Sequence, residues 1–276
     1  MSEQDAWYRR FFDEEYLLFD DHPDTVQEVG FVSGLIGPAP GARVLDLCCG
    51  YGRHCVPLAD LGFNVVGLDL SSTMLREAKR RREAVPKGQA AEVREGGRRR
   101  RRARESALRT PVPGACGRLE LLRGDIRNLP FGSCFDAVIS MFTSIGYFED
   151  EAENFRVLKE ISQVLKPGGR VLIETVNREA IIRHFRPAQV YRTGGLTVIE
   201  ERQFDLASGR SRVDVTVLQG GRQTRLHHDI RVFSFTELQM LLMANGMKVV
   251  GLWGDFTGGE LSWNSASMIV LAQKGL

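Results

Sequence analysis

One stretch constrains the fold of this chain more than any other. Arg43–Leu47 is a short apolar run, Gly50-Tyr51-Gly52 a tight turn, Arg53–Leu61 a helical segment closed by Gly62, and Asn64–Leu68 a second apolar run that ends at Asp69. Strand, glycine turn, helix and strand at these spacings predict a βαβ unit, and with it a parallel sheet. Gly50 and Gly52 can take positive φ and let the backbone approach a ligand closely. A helix opening near Arg53 would aim free N–H groups at an anion. Asp69, at the end of the second strand, stands where a carboxylate can accept both hydroxyls of a ribose. The loop is not the dinucleotide fingerprint, because Cys55 replaces its third glycine and Asp46 stands four residues before Gly50.

The rhythm continues on both sides. Apolar residues at helical intervals between 5 and 36, interrupted by His22-Pro23, predict two helices. Thr73–Arg82 reads as a helix capped by Ser71 or Ser72. Leu119–Leu122, Gly124-Asp125-Ile126 and Phe135–Met141 supply strands three and four. Glu151–Leu165 is an amphipathic helix stopped by Lys166-Pro167-Gly168-Gly169, and Arg170–Thr175 is strand five. Residues 196–206, 211–219 and 224–233 alternate between turns and predict an antiparallel meander. Thr236–Ala244, Met247–Leu252 and Ala266–Ala272 close the chain as a helix and two strands.

Residues 83–118 break the pattern: they hold the unbroken run Arg98–Arg102 and almost no apolar periodicity, so a flexible insertion is expected. From Lys79 to Arg109, thirteen basic residues face four glutamates. That local excess of nine leaves about −7 on the rest of a chain whose net charge is +2, which argues against general polyanion binding. The five cysteines (Cys48, Cys49, Cys55, Cys116 and Cys134) contain no C-x-x-C pair, so neither a metal site nor a disulfide framework is expected. Cys48 and Cys49 read as small buried residues at the glycine loop. No run approaches the roughly 20 apolar residues of a membrane span, and the start of the chain is acidic, without a secretory layout. A cytoplasmic protein without membrane contact, monomer or homodimer, is the expectation.

The motifs together resemble the class I S-adenosylmethionine-dependent methyltransferases. Val44-Leu45-Asp46-Leu47-Cys48-Cys49-Gly50-Tyr51-Gly52 followed by Val65-Val66-Gly67-Leu68-Asp69-Leu70 resembles their first two motifs. Gly124-Asp125-Ile126 resembles the adenine-site motif, Phe135–Phe142 the fourth-strand motif, and Leu165–Gly169 the turn before strand five. The resemblance implies S-adenosylmethionine as cofactor, held by Asp46, Cys48, Gly50, Gly52, Asp69, Leu70, Asp125, Ile126 and Met141. It gives Asp125 the adenine amino group and Ile126 the face of the ring. The implied fold is α/β and Rossmann-like, with a seven-stranded, mostly parallel sheet bearing an antiparallel edge strand. It spans residues 41–186 and 235–276, under an N-terminal helical lid at 1–40 and an antiparallel β cap at 187–234.

For the acceptor, Ser144-Ile145-Gly146-Tyr147, the Tyr16 segment and the meander resemble small-molecule N-methyltransferases of the amino-sugar type. A neutral amine needs little beyond orientation and exclusion of water, whereas an alcohol or phenol would want a general base. Tyr16, Tyr147 and His228 are the candidate catalytic residues, with His228 taken from an adjacent histidine pair on a meander strand, where one of the two must face inward. A small molecule is the expected acceptor and nucleic acid is not, since Arg98–Arg102 has no interleaved aromatics for base stacking. Two alternatives stand beside this reading: an RNA methyltransferase that uses the arginine-rich insertion, and a protein that binds S-adenosylmethionine without transferring its methyl group.

Overall fold

The computed structural model describes residues 6–18, 22–37, 40–84, 117–193 and 195–276; most of the insertion expected at 83–118 lies outside the described residues. The strands are β1 (Arg43–Leu47), β2 (Asn64–Asp69), β3 (Leu119–Arg123), β4 (Phe135–Ser140), β5 (Leu165–Val176), β6 (Ala188–Thr193), β7 (Leu196–Asp205), β8 (Arg210–Gln219), β9 (Arg222–Arg231), β10 (Met247–Trp253) and β11 (Ser267–Lys274). The helices are α1 (Tyr8–Phe11), α2 (Thr25–Leu35), α3 (Cys55–Asp60), α4 (Ser72–Ala84), α5 (Glu151–Val164), α6 (Arg178–Arg183) and α7 (Phe235–Ala244).

Seven strands form one sheet in the order β10-β11-β5-β4-β1-β2-β3, and β6-β7-β8-β9 form a separate antiparallel sheet. The large sheet is Rossmann-like and mostly parallel. Its reversed strand, however, is not at the edge. β11 runs antiparallel to both β5 and β10, so β10 at the rim shares the direction of the parallel strands. Both faces of the sheet are covered, which is why its central strands β1, β2 and β4 are buried almost throughout rather than alternating. Leu45, Leu47 and Val138 pack with Val157, Leu158 and Ile161 of α5 on one side. Val44, Ala137 and Ile139 pack with Val29 and Val32 of α2 on the other.

Local signals place the helices. Ser71 Oγ accepts from Met74 N at 3.2 Å at the start of α4, Asp150 caps α5, and Ser234 with Glu237 forms a full capping box on α7. The N-terminal stretch is more broken than two helices: α1 has four residues, and Tyr16–Leu18 is a single 3-10 turn before α2. Gly124-Asp125-Ile126 is loop rather than strand. Pro167-Gly168-Gly169 lies within β5 as an irregularity, with Phe135 opposite Leu165 and Ala137 already opposite Arg170.

The small sheet buries Leu196, Val198, Val213, Val215 and Val217 against Phe11 and Tyr16 of the N-terminal segment. Arg231 on β9 ties it to the large domain through Glu151 (2.5 Å) and Glu237 (2.6 Å), and Arg210 donates to the Phe148 carbonyl at 2.9 Å. Among the described residues no helix is long and apolar enough to cross a membrane.

Candidate active site

The carboxyl ends of β1, β2, β3 and β4 open onto a cavity of about 340 Å³, at the point where the chain order reverses between β1 and β4. Asp46, Cys48, Gly50, Asp69, Leu70, Asp125, Ile126 and Met141 all line it, together with Tyr16 and Tyr147. Asp69 organises the loop: Oδ2 accepts from Gly50 N and Oδ1 from Ser71 N, each at 2.8 Å. Burial raises its carboxyl above the usual range, with those N–H groups opposing the shift. Asp46 is only 2% exposed, and its Oδ2 has no hydrogen-bond partner. Burial, and then the neighbouring Asp69, push its carboxyl up to about 8. Asp125 is engaged by Arg127, Nη2 to Oδ2 at 2.6 Å and Nε to Oδ1 at 3.0 Å; burial raises its carboxyl, but that pairing outweighs it and leaves a net lowering. Ile126 is buried beside it.

Gly52 is the exception among the expected cofactor residues. It has φ +84°, and a Cβ there would meet Val56 Cγ2 at 3.0 Å and the Ala78 Cβ at 3.1 Å. It lets the turn and α4 pack together rather than facing the cavity. The helix after the loop also begins later than expected, at Cys55, and runs for only six residues. The Cys55 N–H favours the charged form of Asp46. His54 is buried on Glu28, with Nε2 and Oε2 2.8 Å apart, and also lines the first cavity.

A second cavity of about 530 Å³ adjoins the first and shares Phe12, Tyr16, His22, Phe142 and Tyr147 with it. His228 lies here, outside the first cavity. On β9 it pairs with Val213, while His227 turns outward to Asp214 at 2.8 Å. Burial pushes the His228 imidazole down to about 4, so the ring is neutral near pH 7. Tyr147 stacks on Phe12 at 5.7 Å and meets Trp7 edge-on at 5.0 Å. Burial raises its hydroxyl well above the phenol range.

Residues 45–173 match the family described as a methyltransferase domain. The chain is an S-adenosylmethionine-dependent methyltransferase. The methyltransferase is 25% identical to the cypemycin N-terminal methyltransferase of a Streptomyces species over 86% of this chain and 85% of that one. It is 27% identical to the dTDP-3-amino-3,4,6-trideoxy-alpha-D-glucopyranose N,N-dimethyltransferase of Streptomyces venezuelae, over 80% and 81%. The CcbJ methyltransferase structure from Streptomyces caelestis superposes with a TM-score of 0.75 at 20% identity, covering 98% of this chain and 97% of that one.

The first cavity of the methyltransferase fits its cofactor. An ammonium group would satisfy the unpartnered Asp46 Oδ2, and a Cβ on Gly50 would meet nothing within 4 Å, so the backbone is open to a close ligand. This pairing has a measurable consequence. Asp46 titrates at about 8, so it is mostly protonated at pH 7, and a cation placed against it favours the ionised form. Cofactor binding at pH 7 is expected to release close to one proton, fewer at pH 9, and none from this group in Asp46→Asn. Calorimetry in two buffers of different ionisation enthalpy measures the number; an unchanged count in the variant would contradict it.

Several residues of the methyltransferase's second cavity escaped the sequence reading. Glu174 on β5 is buried and accepts from Phe142 N at 2.5 Å and Ser267 Oγ at 2.6 Å. Phe142 and Thr143 hold φ of 59° and 53°, a conformation costly for non-glycine residues and pinned here by Glu174. A lone acid inside the apolar Val171–Val176 run was the available signal. Trp7 left none, since its place depends on α1 folding back over β9.

Proposed function

We propose that this enzyme methylates nitrogen on a small molecule held in the second cavity, with the cofactor in the first. In this reading Asp46, Cys48, Gly50, Asp69, Leu70, Asp125, Ile126 and Met141 hold S-adenosylmethionine, and Gly52 supports the loop. Tyr16 and Tyr147 border the reacting atoms. The observation that carries the proposal is the shared wall: Phe12, Tyr16, His22, Phe142 and Tyr147 line both cavities, so two ligands can meet across it. The cofactor, when bound, supplies the electrophilic methyl group; the protein's task is then orientation and dryness.

Nitrogen is favoured over oxygen by the titrating groups. An efficient general base has a pKa near the working pH. Burial takes His228 down to about 4 and the Tyr147 hydroxyl far up, while Glu174, which burial raises, has its two oxygens occupied by Phe142 N and Ser267 Oγ, so none of the three suits the activation of an alcohol. A neutral amine carries its own lone pair and needs no such base. Two relatives, one named as an N-terminal methyltransferase and one as an amino-sugar N,N-dimethyltransferase, support the same reading. The aromatic lining and the volume of about 530 Å³ suit a small acceptor rather than a polynucleotide.

Methyl-labelled S-adenosylmethionine offered with pools of small amines (amino sugars included), phenols and RNA tests this. Label is expected in the amine pool, and deletion of residues 83–117 is expected to leave that turnover in place. Label in RNA alone, lost on the same deletion, or in phenols alone, would overturn the proposal.

A further inference from the structure

The second cavity holds two buried polar atoms with no hydrogen-bond partner, the Trp7 Nε1 and the His228 Nδ1. Both residues line this cavity, and neither lines the first. Their ring centroids are 6.1 Å apart, so the two residues are neighbours in the cavity wall. Burying an indole N–H and an imidazole nitrogen unpaired is costly, so native proteins rarely do it without reason. Phe11 packs edge-on against both, meeting Trp7 at 5.9 Å and His228 at 5.4 Å.

The chemistry of the pair narrows what would satisfy it. Indole nitrogen only donates, so a second ammonium group cannot bind there. His228 is neutral near pH 7, so the pair offers an anion no positive charge, and the Arg202 guanidinium in the same cavity is held by Glu200. A hydroxyl is suited to both atoms: its oxygen accepts from Trp7 Nε1–H and its proton is donated to His228 Nδ1, the other ring nitrogen carrying the imidazole hydrogen. Resting on the reading that a small amine occupies this cavity, we propose that Trp7 and His228 hold a hydroxyl group of the acceptor and thereby select hydroxylated amines. His228 is on this account a binding residue rather than a proton acceptor in the transfer step.

The test uses the full chain saturated with S-adenosylhomocysteine, titrated with the 2-, 3- and 4-aminocyclohexanols and with the matching methylcyclohexylamines, which replace hydroxyl by methyl at similar size. At least one aminocyclohexanol is expected to bind about tenfold more tightly than its methyl partner and to shift the Trp7 indole and His228 imidazole resonances. Trp7→Phe and His228→Phe are expected to lose that preference, and His228→Asn, which keeps a polar side chain, to retain part of it. Affinity for S-adenosylhomocysteine, bound in the other cavity, reports that each variant is folded. Wild-type protein that binds both amine series without preference, as when water serves both atoms, overturns the hydroxyl assignment alone; so does a preference that survives in both phenylalanine variants. Binding of neither series overturns the small-amine reading and this inference with it.

Discussion

Replacing Gly146 with alanine is expected to destabilise the enzyme by about 3 kcal/mol and to abolish most of its turnover. Gly146 has φ +107°, and a Cβ there would stand 2.1 Å from the Arg231 carbonyl oxygen. The two backbones are joined, Arg231 N donating to the Gly146 carbonyl at 2.8 Å. Neither can retreat freely, because Arg231 is anchored to Glu151 and Glu237. The added methyl group must pry the loop after β4 away from β9, and that loop carries Tyr147 between the two cavities. A fall of roughly 5 °C in Tm follows for a chain of this size. Affinity for S-adenosylhomocysteine should change less, since Gly50 and Asp69 belong to the other end of the site. A thermal scan and a turnover assay check both parts; wild-type Tm with wild-type turnover would show that the close approach is not needed.

The second large effect is at Asp69. Its two oxygens take the Gly50 and Ser71 N–H groups at 2.8 Å each, while the residue itself is 9% exposed. Asp69→Ala leaves both donors largely buried, releases the glycine loop, and removes the acceptor expected for the ribose hydroxyls. An unmade buried hydrogen bond costs about 1–3 kcal/mol. Losing two, together with the ligand contact, is expected to weaken S-adenosylhomocysteine at least ~100-fold, or about 3 kcal/mol. Asp69→Asn keeps one acceptor and should lose less.

What was legible in the sequence follows from how local each feature is. The cofactor side is almost contiguous: Asp46, Cys48, Gly50 and Asp69 sit on one strand–loop–strand unit, and every cofactor residue expected from sequence except Gly52 lines the first cavity. Gly52 has the positive φ expected of it, but its Cα faces Ala78 on α4, a packing contact no local motif reveals. The proposed acceptor side draws on Trp7, Tyr147, Glu174 and His228, which only the docking of the small sheet brings together. Strand direction is likewise non-local, so β11 could be recognised as a closing strand without its place inside the edge being fixed. β6 went unseen because its residues alternate between exposed and half-exposed, leaving no buried face to give a pattern.

The loop after β1 is expected to be an S-adenosylmethionine site organised by Asp69. Calorimetric titration of S-adenosylhomocysteine into the wild-type chain and into Asp69→Ala tests it most directly. Saturable one-to-one binding is expected of the wild type and a loss of at least ~100-fold in the variant. Equal affinity in the two proteins, or binding by neither, would contradict it.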